Sequence, residues 1–253
     1  RDPTGYVLES NNKIYRVINI KKRSFYENLF NQEWYQKFVG EKKIQHSQWI
    51  DNLDNDPNYC WIEHKKFDFG IFPNEFCAEQ LYEAASLTLE IAIKAFSNKI
   101  ILKDTSAWNV IFDSSKPTFC DVTSFEEWKG EKLWFAYGQF NRHFIIPLIL
   151  YKNLKINIAK LFLTNRDGIK PEDAQAILGL KTIKSICAIE SITLPTLFKN
   201  KGKKNFFQNS SKLQINEKLF LGTLNRLKKY IISLQPSKLT SNSVWSEYQS
   251  TRE

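Results

Sequence analysis

Asp104, Asn109 and Asp121 are the residues whose types and order point to chemistry. A carboxylate, an amide five positions later, and a second carboxylate after a short hairpin supply the oxygen donors that phosphoryl transfer needs. In that reaction one carboxylate orients the attacking hydroxyl. The amide oxygen and the second carboxylate hold Mg2+ against the phosphates of ATP. Val110-Ile111-Phe112 and Thr118-Phe119-Cys120 read as the two strands of that hairpin, joined by the polar turn Asp113 to Pro117. Asn109 and Asp121 then emerge at one edge. A plainer reading stands beside this one: Asp104 caps a turn, Asn109 is a loop residue and Asp121 caps the next segment.

Phosphate binding also needs a cation. Arg16, in the strand-like Lys13-Ile14-Tyr15-Arg16-Val17-Ile18, is the candidate, with Glu27 and Glu33 on the following helix as possible partners. An Arg holds phosphates but is no simple replacement for Lys. The segment Phe72-Pro73-Asn74-Glu75-Phe76 offers backbone groups that adenine can use, with Glu75 as its candidate contact; a simple loop is the other reading. If Asp104 and Asp121 share a metal-free pocket, their repulsion predicts that Asp121→Asn gains slightly in stability.

The elements that must position these residues follow from periodicity. Gly5 to Glu9 and Lys13 to Ile18 are two short strands around Ser10-Asn11-Asn12, and Ser24 to Val39 has helical spacing. Asp51 to Asn58 is a turn-rich loop, and Tyr59 to Ile62 and Phe67 to Phe72 are strand candidates. Gln80 to Phe96 is apolar nearly all round, which predicts a buried helix just before the Asp104 loop. Beyond Phe125 the chain is mostly helical, with segments at Trp134 to Tyr151, Leu154 to Leu163 and Pro171 to Leu178. After the basic stretch Lys199 to Lys212, the seam Phe220-Leu224-Leu227-Ile231-Leu234 suits a helix docked along a surface.

Composition narrows the class. The 253 residues suffice for one large domain or two small lobes, and the 14% aromatic content argues for a packed core. A net charge of +9 comes largely from short Lys/Arg clusters, which read as solvated loops, so a nucleic-acid partner is not expected. The four Cys are widely spaced, without a metal-ligand pattern, which suits reduced thiols, no structural zinc and a cytoplasmic location. The apolar run Phe144 to Tyr151 is too short to span a membrane, and Arg1 to Gly5 lacks a leader pattern. A chain without Met that starts at Arg1 suggests a piece of a longer protein or replaced methionines.

Lys103-Asp104, Asn109, the hairpin and Asp121 together resemble the catalytic loop and metal-binding hairpin of protein kinases. The resemblance places Lys103 where kinases have the Arg before the catalytic Asp, and it implies Mg2+ and ATP as cofactors. Two departures stand out. No G-x-G-x-x-G is present, and Asp121-Val122-Thr123-Ser124-Phe125 replaces D-F-G. The expected fold class is α+β, protein-kinase-like and two-lobed, with an N-lobe over 1–76 and a C-lobe over 77–198. Residues 199–253 form a basic linker and a connector helix.

A narrower resemblance rests on Asp2-Pro3-Thr4-Gly5-Tyr6-Val7, Leu87-Thr88-Leu89-Glu90-Ile91, Trp108-Asn109-Val110, Asp121 to Phe125 and Val244-Trp245-Ser246-Glu247-Tyr248. These segments are similar to a bacterial family of two-part proteins, kinase-like first and a class I S-adenosylmethionine (SAM) dependent methyltransferase second. The resemblance implies an attached methyltransferase domain as partner, with SAM bound only there. This chain has no strand followed by a glycine-rich turn and an acidic residue to bind that cofactor. The expected partners are a nucleotide and an acceptor that is a protein or a small molecule. A pseudokinase or structural module of the methyltransferase is the alternative.

Overall fold

Strand β1 (Gly5–Ser10) returns as β2 (Lys13–Asn19) through a turn whose central residues, Asn11 and Asn12, have φ of 51° and 60°. Left-handed values at both positions make a tight hairpin turn whose twist matches the strands, and Asn tolerates that region better than most residues. Gly5 must be Gly, because a Cβ there would lie 1.9 Å from the Val17 carbonyl oxygen. The computed structural model describes residues 5–51, 54, 56–113, 115–131, 133–198 and 217–236.

Where the spacing predicts one helix, the chain forms two, α1 (Arg23–Phe30) and α2 (Glu33–Gly40). Asn31 closes α1, and Gln32 is extended at φ −72°, ψ 133°. The break lets both helices turn aromatic residues inward. Phe30 stacks on Tyr35 at 5.3 Å, and Trp34 meets Phe125 at 6.2 Å.

Strands β3 (Ser47–Ile50) and β4 (Tyr59–His64) complete an antiparallel sheet of order β1-β2-β4-β3. Sequence periodicity missed β3, whose four residues are only half-buried or exposed. The register pairs Arg16 with Val7 and Ile62, and His64 with both Ile14 and Ser47. Alternation therefore puts Ile14, Arg16, Ile18, Cys60, Ile62 and His64 on one face. That face joins the main core through Ile18, Cys60 and Ile62, while Tyr15, Val17 and Trp61 form a small cluster on the other.

Strand β5 (Gly70–Ile71) is shorter than the Phe67 to Phe72 reading, and Phe69 is largely exposed. The buried helix is present as α3 (Ala78–Phe96), started by Cys77 and Gln80, which exchange hydrogen bonds across its first turn. Strand β6 (Ile100–Leu102) follows, and then the expected hairpin, β7 (Val110–Asp113) and β8 (Lys116–Phe119). Strand β9 (Phe125–Glu127) returns to pair with β6.

The remainder is helical: α4 (Tyr137–Phe140), α5 (Ile146–Leu154), α6 (Ile158–Thr164), α7 (Pro171–Leu178), α8 (Ile186–Ala188), α9 (Leu194–Phe198) and α10 (Glu217–Ser233). A wide π turn, Asn141–Ile145, leads into α5 and accommodates Pro147, which lacks an N–H to donate. Lys155, left-handed at φ 54°, ends α5. The architecture is thus α+β, an antiparallel sheet followed by a mostly helical part.

Helix α10 departs from the expectation of a surface connector. Phe220, Leu224, Leu227, Ile231 and Leu234 are all buried in the main core, and Phe220 stacks on Phe96 of α3 at 4.2 Å. The basic linker and the Val244 to Tyr248 segment lie outside the described residues.

His143, in the π turn, is 3% exposed and stacks on Phe162, with its Nδ1 unpaired. Burial pushes its pKa down to about 4 from 6.5, so it is neutral when folded. The unfolded chain protonates first, so this contribution is complete above about pH 6.5 and is lost progressively as pH falls toward about 4. One such group changes stability by about 1.4 kcal/mol per pH unit in that window. Urea unfolding at pH 7, 6 and 5 is expected to show a shallower loss in His143→Phe than in the parent chain. Equal slopes would mean that His143 titrates alike in both states.

Candidate functional site

The Asp104 loop is held from three sides. Leu102 pairs with Phe125, and the Lys103 N–H donates to the Ser124 carbonyl at 2.8 Å, so the loop leaves β6 tied to the turn after β8. The helical part anchors Thr105, whose N–H donates to Gln139 Oε1 at 2.7 Å and whose hydroxyl donates to the Ala136 carbonyl at 3.1 Å. Trp134 Nε1 donates to the Leu102 carbonyl at 2.8 Å. Trp108, capped by the Arg166 guanidinium, donates to the Arg166 carbonyl.

Asp104 Oδ1 accepts the Ser106 N–H at 2.8 Å and Asn109 Nδ2 at 3.1 Å. Asn109 Nδ2 also donates to Ser124 Oγ at 3.1 Å, and the Ser124 hydroxyl donates to Asp121 Oδ2 at 2.5 Å. Asp121 Oδ1 accepts the Thr123 N–H at 3.2 Å, the Thr123 hydroxyl at 2.7 Å and Arg16 Nη1 at 2.9 Å. Arg16 Nη1 lies 2.9 Å from Thr123 Oγ1 as well. One continuous polar chain therefore runs Asp104, Asn109, Ser124, Asp121, Arg16.

The hairpin makes this possible. Val110 opposes Phe119, and the Asn109 carbonyl accepts the Cys120 N–H at 2.8 Å, so Asn109 and Asp121 leave adjacent strands at one edge. Between them lies the half-buried Cys120, whose thiol pKa is pushed up to about 12 by desolvation first and by the neighbouring Asp121 charge second, which keeps it protonated.

The donor set suits a small hard cation. Both N–H groups of Asn109 are engaged, which orients its amide and leaves Oδ1 as the available oxygen. Asp121 Oδ2 accepts one hydrogen bond and keeps a second lone pair. Two such oxygens, completed by phosphates and water, match the way Mg2+ is bound at nucleotide sites. Among the described residues no group of three His, Cys, Asp or Glu side chains is placed to hold a metal ion.

Other candidates lie elsewhere. Arg16 pairs with Asp121, whereas Glu27 pairs with Arg23 at 2.7 Å and Glu33 lines a surface groove with Trp34, Lys37 and Lys94. Among the described residues neither glutamate pairs with Arg16. Glu75 is exposed, and its carboxylate accepts the Phe72 N–H at 3.0 Å, closing the turn at Pro73–Glu75. Lys103 is half-buried, and its backbone carries the link to Ser124. A cavity of about 1010 Å³ sits at the turn end of the hairpin, lined by Lys42, Lys65, Asp113 and Lys116 among others, and it includes no residue of the polar chain.

Sequence reasoning did not single out Thr123, Ser124 or His64. The first two were legible as hydroxyls following Asp121, a common local capping arrangement. His64 gave no local signal, because only the strand register brings it diagonal to Arg16.

No family model matches the chain. It is similar to Nodulation protein NoeA of Rhizobium meliloti (strain 1021), 23% identical over 260 residues that take in 98% of this chain and 53% of that protein. The chain thus spans about half the length of this curated relative. Among solved structures it is similar to vaccinia related kinase 3, with a TM-score of 0.38 and 12% identity over 98% of this chain and 82% of that one. A likeness that loose carries no reading of function.

Proposed function

We propose that this chain is a kinase-like, Mg-ATP-dependent phosphotransferase domain, the N-terminal part of a two-part SAM-dependent methyltransferase protein. The observation that carries the phosphotransferase reading is the polar chain from Asp104 to Arg16, because it gathers residues from three separate segments at one hairpin edge. Asp104 orients the acceptor hydroxyl with Oδ2, which has no protein donor among the described residues. Asn109 Oδ1 and Asp121 Oδ2 hold Mg2+. When bound, that ion neutralises charge on the phosphates. Arg16 keeps Nη1 on Asp121 and Thr123 and offers Nη2 to phosphate oxygens. The two-part reading is supported by the sequence resemblance and by the match to about half of NoeA.

A second reading, a nucleotide-binding module without phosphoryl transfer, is favoured by the crowding at Asp121. Its carboxylate already accepts four protein donors, two of them from Thr123, where kinases have the D-F-G sequence.

Thermal unfolding with ATP, with and without Mg2+, tests the nucleotide site that both readings share, and Mg-dependent ATP turnover separates them. At about 100 times the dissociation constant a ligand adds about 2.7 kcal/mol. Stabilisation that needs both ATP and Mg2+ is expected. Stabilisation by nucleotide alone would favour the second reading, and none with any nucleotide would sink both.

A further inference from the structure

Four buried side-chain polar atoms lack a hydrogen-bond partner among the described residues: Arg16 Nε, Tyr35 Oη, His64 Nε2 and His143 Nδ1. The first three belong to one neighbourhood. His64 lies diagonal to Arg16 across β2 and β4, and directly opposite Ser47 on β3. Ser47 Oγ is 3.0 Å from His64 Nδ1. Burial pushes the Tyr35 hydroxyl pKa up, and the same Ser47 hydroxyl opposes that rise from close by without reaching hydrogen-bond geometry. Arg16 acts electrostatically on both Tyr35 and His64. Tyr35 is 2% exposed and His64 3%. Orphaned buried donors and acceptors are costly one at a time, and three in one neighbourhood call for a shared small polar partner.

Their hydrogen-bond chemistry is complementary. With the Ser47 hydroxyl directed at the Gln45 carbonyl, 3.3 Å away, the matching His64 tautomer is Nδ1–H, donating to Ser47 Oγ. Neutral His64 then presents Nε2 as a bare acceptor. Burial and the Arg16 charge keep it neutral, with its pKa down to about 4. Arg16 Nε–H is a donor only, and the Tyr35 hydroxyl can donate. A single water would satisfy all three by accepting from Arg16 and Tyr35 and donating to His64.

We propose that Tyr35 and His64 are positioning residues for Arg16, acting through one buried water that bridges Arg16 Nε, Tyr35 Oη and His64 Nε2. The water fixes the inner edge of the guanidinium, which leaves the outer edge aimed at Asp121 and Thr123. The effect on nucleotide binding rests on the function proposed above; the water and its three partners do not.

Three measurements on the full chain test this. In 15N spectra, one exchange-protected Arg Nε–H resonance is expected, assigned by its loss in Arg16→Lys, and His64 is expected as the Nδ1–H tautomer. An Nε2–H tautomer would overturn the proposal. In thermal unfolding, Tyr35→Phe is expected to lower Tm by about 2–4 °C. An unchanged or higher Tm would show the hydroxyl to be a true orphan and end the idea. In Mg-ATP titration, His64→Leu is expected to bind about tenfold more weakly, with most of the affinity retained in His64→Gln, whose amide can replace Nε2. If both variants bind as the parent does, the positioning role is overturned. If the parent binds no nucleotide, the proposed function falls, and the spectra and melting still decide the water.

Discussion

A chain ending at Gln208 is expected to lose its cooperative unfolding transition. The deletion removes α10 and with it Phe220, Leu224, Leu227, Ile231 and Leu234, each at most 5% exposed. Burying one such side chain contributes about 1.5–3 kcal/mol, so the five together contribute roughly 7–15 kcal/mol as an upper estimate. That rivals the whole stability of a typical domain, about 5–15 kcal/mol. The loss also strips the Phe96 ring of its stacked partner and uncovers the outer side of α3. Exposed contacts such as Arg226 with Glu190 at 3.4 Å add little. Phe220→Ala alone is expected to cost about 3–5 kcal/mol. Circular dichroism melts and urea titrations of both variants measure this. A truncated chain that unfolds within about 1 kcal/mol of the parent would show that the helix is a connector after all.

Asp121→Asn is expected to be strongly destabilised without any ligand, by about 3–5 kcal/mol. Read from sequence alone, two gathered carboxylates predict the opposite sign. The structure reverses it because the neighbour of Asp121 is the Arg16 guanidinium, and the two side chains are only 13% and 17% exposed. Removing one partner leaves a largely buried charge without its counter-ion, and an amide cannot accept through both ends. Asp104 meets Asp121 only through Asn109 and Ser124, so direct repulsion between them is not the dominant interaction. A double-mutant cycle with Arg16→Gln isolates the pair, and the double variant is expected to be less destabilised than the sum of the singles. Additive losses in urea titration would mean that the ion pair contributes nothing.

The local parts of this molecule were readable from sequence, and the assembled parts were not. Helix α3, the β7–β8 hairpin and α7 follow from apolar periodicity and turn residues, which act within a few positions. The spacing of Asp104, Asn109 and Asp121 could be read for the same reason. The α1–α2 break was missed because its cause is tertiary: stacked Phe30 and Tyr35 reward a turn at Asn31–Gln32 that propensity does not require. Strand β3 was missed because it is short and carries no clear alternation. The partner of Arg16 was not legible, and Glu27 and Glu33 stood as candidates because they are near in sequence. Asp121 lies over a hundred positions away and is brought in by the packing of the sheet onto the hairpin. The α10 seam looked narrow enough for a surface, yet α3 is apolar nearly all round and needs a cover on that side.

The central claim is that Asn109 and Asp121 form one Mg-nucleotide site, and calorimetric titration of Mg-ATP tests it most directly. Asn109→Leu is the informative variant, because it removes the available Oδ1 and leaves the Arg16–Asp121 pair in place. Mg-dependent binding by the parent chain is expected, with a loss of at least tenfold in Asn109→Leu, equivalent to about 1.4 kcal/mol. A variant that remains folded and binds Mg-ATP as tightly as the parent would contradict the account.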